Sequence, residues 1–184
     1  MRLFAAVMPP DTAVAELAQA VRGLRDGHLR WTGEAGWHFT LAFMGEVRDE
    51  VLPDLHARLA RAAHRTAPFP LRLHGSGHFG DRALWVGAAG DLDTLRLLSE
   101  RADAAARRAG VPMAQHRRYT PHLTLGRSRD GADLRPYVEG LASFEGTPWQ
   151  VGELSLVRSR LPVDGVPGEQ PRYEVVGAWP LGGE

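Results

Sequence analysis

The chain has 184 residues, enough for a single domain that buries about two-thirds of its unfolded surface without staples. It holds no cysteine, so disulfides, thiolate metal sites and a cysteine nucleophile are excluded. Lys and Arg balance Asp and Glu at a formal charge of zero, which argues against coating long nucleic acid but leaves room for a pocket that grips one or two phosphates.

Residues 2–8 (RLFAAVM) read as a buried strand that Pro9-Pro10 ends. This opening has no long apolar core or cleavage pattern and does not read as a signal peptide. No stretch reaches the roughly 20 apolar residues of a membrane helix, so no membrane role is expected. Asp11 or Thr12 can cap a helix with Val14, Leu17, Ala18, Val21 and Leu24 on one face, and Gly27 stops it. A short extended piece around Arg30–Thr32 follows, then a strand over 37–43 (WHFTLAF). Asp49 and Glu50 open a second helix with Val51, Leu52, Leu55 and Leu59 inward.

Residues 69–74 and 83–88 read as strands joined by a Gly-rich turn. That turn, Gly75 to Gly80, literally fits G-x-G-x-x-G. The segment after it reads as a strand, though, and a dinucleotide site needs a helix there. A third helix spans about 91–109, with Leu92, Leu95, Leu98 and Ala102 inward and Gly110 as its stop. Residues 122–127 (HLTLGR) read as a strand and 132–143 as a short helix with Pro136 in its first turn. Two strands, 149–158 and 172–179, close the chain around a Gly- and Pro-rich loop.

Two segments carry chemistry: His38-Phe39-Thr40-Leu41 and His122-Leu123-Thr124-Leu125, 84 residues apart. In a strand, residues i and i+2 share a face. Each segment therefore offers an imidazole beside a hydroxyl while Phe39, Leu41, Leu123 and Leu125 point inward. A spacing of 84 is too long for a solenoid and fits a duplicated lobe, with two sheets facing across a cleft. Two imidazoles and two hydroxyls around one point suit phosphodiester cleavage. One ring takes a proton from water, the other gives one to the leaving oxygen, and hydroxyls stabilise the charge gathering on phosphorus.

These segments resemble those of the two-histidine (2H) phosphoesterase superfamily, and within it the RNA 2′,3′-cyclic phosphodiesterases, also called 2′–5′ RNA ligases. RLFAAVMPP, WTGEAGWHFTLAFMGEV, RRYTPHLTLGR and the closing SRLPVDGVPGEQPRYEVVGAWPL all take part, so the likeness spans nearly the whole chain. It implies one bilobal α+β domain over 1–184, built from two antiparallel sheets facing across a central cleft with helices outside. It also implies hydrolysis of a 2′,3′-cyclic phosphate at an RNA end to a 2′-phosphate, reversible 2′–5′ ligation, no metal and no cofactor. Expected partners are RNA ends such as tRNA halves or oligonucleotides, met by a cytoplasmic monomer. By the same resemblance His38 is the general acid, His122 the general base, and Thr40 and Thr124 bind the phosphate. The alternatives are a non-catalytic RNA-end binding module and a phosphodiesterase for another cyclic phosphate.

Further candidates have plainer readings beside the functional one. Arg127, five residues after His122, falls on the opposite face of a regular strand and needs a twist or bulge to reach substrate. Tyr119, Phe43 and Trp37 can stack on a base or fill the core. Arg118, in the run His116-Arg117-Arg118, and Arg158 and Arg160 near the C-terminus can hold a neighbouring phosphate or simply face solvent. His56, His64, His74 and His78 lack the converging ligands of a zinc site.

Overall fold

A computed structural model describes residues 1–115, 118–162 and 170–183. Among them nine strands form two antiparallel sheets. The first sheet holds β1 (Arg2–Val7), β3 (Phe39–Glu46), β8 (Glu153–Arg160) and β9 (Arg172–Pro180) in the order β3-β1-β8-β9. The second holds β2 (Leu29–Trp31), β4 (Phe69–Phe79), β5 (Ala83–Gly90), β6 (Leu123–Ser128) and β7 (Trp149–Val151) in the order β2-β6-β5-β4-β7.

Four helices join them: α1 (Asp11–Arg22), α2 (Leu52–His64), α3 (Leu92–Arg108) and α4 (Arg135–Leu141). α1 and α4 contact the second sheet, whereas α2 and α3 pack on each other and on the first. Of the apolar stripes expected of the helices, Leu17, Val21, Leu55, Leu59, Leu95, Leu98 and Ala102 are buried, and Val14, Ala18, Leu24, Val51, Leu52 and Leu92 pack against the core partly covered. Truncating one of the buried leucines to alanine costs about 2–5 kcal/mol. Asp91 caps α3, accepting from the Thr94 amide and hydroxyl at 3.0 and 2.7 Å. Gly110 ends it at φ +96°, a conformation that favours glycine. No helix among the described residues is long and apolar enough to cross a membrane.

The lobes are not the two halves of the sequence. β1 and α1 are neighbours in the chain but belong to different lobes, and so are β5 and α3. Each lobe is completed by segments from both halves, which ties the two sheets together covalently at several points. One crossing lies where a single strand over 149–158 was expected. The chain leaves the second sheet at Val151 and enters the first at Glu153, with exposed Gly152 between them.

The Gly-rich segment is also different from its expected form. β4 runs on through Gly75, Ser76, Gly77 and His78 to Phe79, with a bulge at Gly75 (φ +68°), and the turn is confined to the residues just after it. Gly77 continues the strand because it has no side chain. A Cβ there would overlap the ring of Trp85, which lies across it from β5.

Candidate active site

His38 and His122 each stand one residue ahead of their strand, β3 and β6. As expected from alternation, Phe39, Leu41, Leu123 and Leu125 are buried, and Thr40 and Thr124 are only partly covered. Each imidazole is held in the same way. Nδ1–H of His38 donates to the Gly36 carbonyl and Nδ1–H of His122 to the Thr120 carbonyl, both at 2.7 Å. A carbonyl can only accept, so the proton of each neutral ring sits on Nδ1 and the Nε2 lone pair is free. Neither Nε2 nor either threonine hydroxyl has a partner among the described residues.

The rings differ in surroundings. His38 stacks on Phe4 with centroids 4.5 Å apart and meets the edge of Tyr173 at 5.4 Å. Burial among these rings pushes its pKa down to about 4. The Gly36 hydrogen bond works against that shift, and the charge of His122 adds to it. His38 is thus neutral near pH 7 in the free protein. The charge effect places the two rings within electrostatic reach across the cleft. His122 lies beside Phe79 (4.9 Å, edge-on) and Trp85 (6.3 Å), which also contact each other at 5.6 Å. The indole Nε1–H of Trp85 is buried without a partner among the described residues.

The strands that carry the motifs share an irregularity. Ala6 pairs with Thr40 and Ala5 with Ala42, so Leu41 is an extra residue on β3. Trp85 pairs with Thr124 and Leu84 with Gly126, so Leu125 is an extra residue on β6. Such a bulge moves every later residue to the other face. Phe43 then pairs with Phe4, two residues from Ala6, and lies on the face of Thr40. Arg127 pairs with Ala83, two residues from Trp85, and lies on the face of Thr124. The bulge that Arg127 required is present. Its charge also reaches Tyr173 of the opposite sheet.

Other candidates fall elsewhere. Tyr119 packs against the core with its hydroxyl buried and without a partner among the described residues, and burial pushes its pKa up. That position favours the core reading over a stacking platform. Trp37 is buried and donates through Nε1 to the Thr32 carbonyl at 3.2 Å, another core role. Arg118 lines a recess of about 350 Å³ with Arg96, Tyr119 and Pro121. His116 and Arg117 lie outside the described residues. Arg158 pairs in register with Leu3, on the face away from Phe4, and Arg160 is 3.7 Å from Glu174. His56 is edge-on to Trp179, and His74 lies 3.4 Å from Glu145.

Five cleft residues escaped the sequence reading: Phe4 and Tyr173, which pack on His38, Phe79 and Trp85, which pack on His122, and Arg2, whose guanidinium lies 4.8 Å over the ring of Phe43. For Arg2 and Phe4 the signal was the i, i+2 alternation with Ala6 on β1, masked because residues 3–7 are apolar and read as buried on both faces.

A family model described as the 2′-5′ RNA ligase superfamily matches residues 9–161. An RNA 2′,3′-cyclic phosphodiesterase of Thermus thermophilus is 33% identical, over all of this chain and 92% of its own. A similarly named protein of Methanocaldococcus jannaschii is 25% identical over 97% of this chain and 100% of its own. The crystal structure of a Thermus thermophilus protein superposes with a TM-score of 0.75 at 32% identity, covering both chains fully. That of Escherichia coli LigT complexed with 3′-AMP superposes at 0.79, covering 98% of this chain and 97% of its own. Its 24% identity speaks to the fold alone. This chain belongs to the 2′-5′ RNA ligase superfamily, the two-histidine phosphoesterases.

Proposed function

We propose that this enzyme opens the 2′,3′-cyclic phosphate at an RNA end and leaves a 2′-phosphate, with His38 and His122 as its acid–base pair. The observation that carries the reading is the matched hold on the two rings. Each has Nδ1 tied to a backbone carbonyl two residues earlier, and each leaves Nε2 free. The names of the relatives supply the substrate class.

In this reading water attacks phosphorus opposite the 3′ oxygen. Nε2 of His122 takes the water proton as the new P–O bond forms. The P–O3′ bond breaks, and Nε2–H of protonated His38 gives its proton to O3′. The Thr40 and Thr124 hydroxyls donate to the non-bridging oxygens, and Arg127 adds positive charge where negative charge accumulates. His38 is neutral in the free protein, so its acid role depends on the substrate. A phosphate anion against Nε2 favours the imidazolium and offsets the cost of burial. A 5′-hydroxyl in the place of water would yield a 2′–5′ linkage from the same geometry.

The test is turnover of 2′,3′-cyclic nucleotides and of RNA ending in a cyclic phosphate, in excess chelator, with the product regiochemistry read by NMR or by separation of 2′- and 3′-phosphates. A 2′-phosphate product from the wild type, with loss exceeding about a hundredfold in His38→Ala and in His122→Ala, is expected. Binding without turnover, or activity that survives both substitutions, would overturn it.

A further inference from the structure

The cleft face of the first sheet continues past the catalytic residues. Along β1 it presents Ala6, then Phe4 under His38, then Arg2. Arg2 stands two residues beyond Phe4, about 7 Å along the strand. That is comparable with one nucleotide step along an extended RNA strand. Its guanidinium covers one face of the Phe43 ring at 4.8 Å.

Two features set this pair apart from an ordinary surface contact. Phe43 is 51% exposed although it is a large apolar ring in the middle of a β-strand. Arg2 has no carboxylate partner among the described residues. Glu46, its cross-strand neighbour, lies instead 3.4 Å from the N-terminal ammonium. An uncompensated planar cation on an exposed aromatic ring is the kind of surface on which unstacked RNA bases settle.

The position is tied to the site. Phe43 reaches the catalytic face only through the bulge at Leu41, as Arg127 does through the bulge at Leu125. Arg2 and Arg127 both act on the phenol of Tyr173, whose ring edge meets His38. Arg2 comes from the first sheet and Arg127 from the second, and both lie within electrostatic reach of that phenol. With Arg127 assigned to the cyclic phosphate, Arg2 is left one step further out.

We infer that Arg2 and Phe43 form a subsite for the nucleotide adjoining the cyclic end, whose base stacks on the guanidinium–phenyl pair. The substrate class is then an oligonucleotide end in preference to a cyclic mononucleotide. This inference rests on the activity proposed above.

The experiment compares kcat/KM on a 2′,3′-cyclic mononucleotide with that on a dinucleotide carrying the same cyclic end. Wild type should favour the dinucleotide. Arg2→Ala and Phe43→Ala should each lose about tenfold more on the dinucleotide than on the mononucleotide, the scale of one lost base stack. Arg2→Lys, which keeps the charge but not the plane, should recover less than half of that loss on a logarithmic scale. Equal losses on both substrates, no wild-type preference, or full recovery with lysine would each overturn the subsite. Failure of the wild type to open either substrate would instead sink the underlying activity.

Discussion

Leu41 and Leu125 hold the same station in the two lobes: each is the fourth residue of its His-x-Thr-Leu segment and each is the extra residue of a β-bulge. Both side chains are buried, so each bulge is pinned by the core on one side while it re-aims the strand on the other. What the bulges deliver differs. One brings an aromatic ring, Phe43, to the face of Thr40, and the other brings a cation, Arg127, to the face of Thr124.

Arg127 therefore has a checkable role. Arg127→Ala should lower kcat/KM on a cyclic nucleotide by about 10–100-fold, the worth of one or two hydrogen bonds to a charged group. Arg127→Lys should recover part of it, because charge returns without the bidentate fork. The side chain is exposed, so the melting temperature should stay within the usual range for surface changes. Wild-type kinetics in the alanine variant would return Arg127 to the solvent-facing reading.

Thr40 and Thr124 are expected to act through their hydroxyls alone. Thr→Val keeps the shape and the branched Cβ that suits a strand. Each valine variant should lose about tenfold in kcat with little change in stability, and the double variant more, since both donors serve one phosphoryl group. Serine should restore most of the rate. If valine were harmless at both positions, the threonines would be strand fillers.

The contrast between what the sequence discloses and what it hides follows from periodicity. The two histidines, the two threonines and their buried neighbours were legible because alternation over four residues needs no knowledge of partners. Arg127 and Phe43 were not placed by alternation, because a bulge is a property of pairing, and pairing is unseen in one chain. The lobe exchange at Gly152 and the run of β4 through Gly75 and Gly77 were hidden for the same reason. The helices were legible in the sequence, since their stripes are local and Asp91, Pro136 and Gly110 mark ends. Even so, α1 stops at Arg22, short of the expected Gly27, with Pro10 and not Asp11 or Thr12 at its N-cap, and α4 covers only Arg135–Leu141 of the expected 132–143. The enclosure of His38 was not legible, because Phe4 and Tyr173 come from distant strands.

That enclosure yields a pH prediction. The folded pKa of His38, about 4, lies below the ordinary 6.5. Between those values the unfolded chain takes up a proton that the folded chain refuses. His38 therefore contributes a loss of stability as pH falls from 6.5 towards 4. Melting curves over this window should be steeper in pH for wild type than for His38→Asn. Followed by NMR, the His38 titration should start near 4 and rise by a unit or more when a 2′-nucleotide product is bound. A pKa that stays near 4 in the complex would make His38 the base and His122 the acid.

Gly36 joins the tautomer and the enclosure in one residue. Its carbonyl accepts from Nδ1–H of His38, and its missing side chain admits the Tyr173 ring. A Cβ at Gly36 would stand 2.9 Å from Tyr173 Cε2 and 3.1 Å from Thr32 Cγ2. Neither neighbour can give way without moving something that matters: Tyr173 edges onto His38, and the Thr32 amide donates to the Leu125 carbonyl at 2.8 Å, inside the second motif. Gly36→Ala should thus disturb both lobes of the site while leaving the core intact. The expected result is a fall of about tenfold or more in kcat, since a displacement of order 1 Å can cost 10²-fold. The melting loss should be modest, about 1–3 kcal/mol, as for other overpacked sites. Gly36→Ala combined with Tyr173→Ala should relieve the clash, recovering the stability lost to overpacking relative to Tyr173→Ala alone. If the single variant kept full activity, the close approach of Tyr173 would have no bearing on how His38 is held.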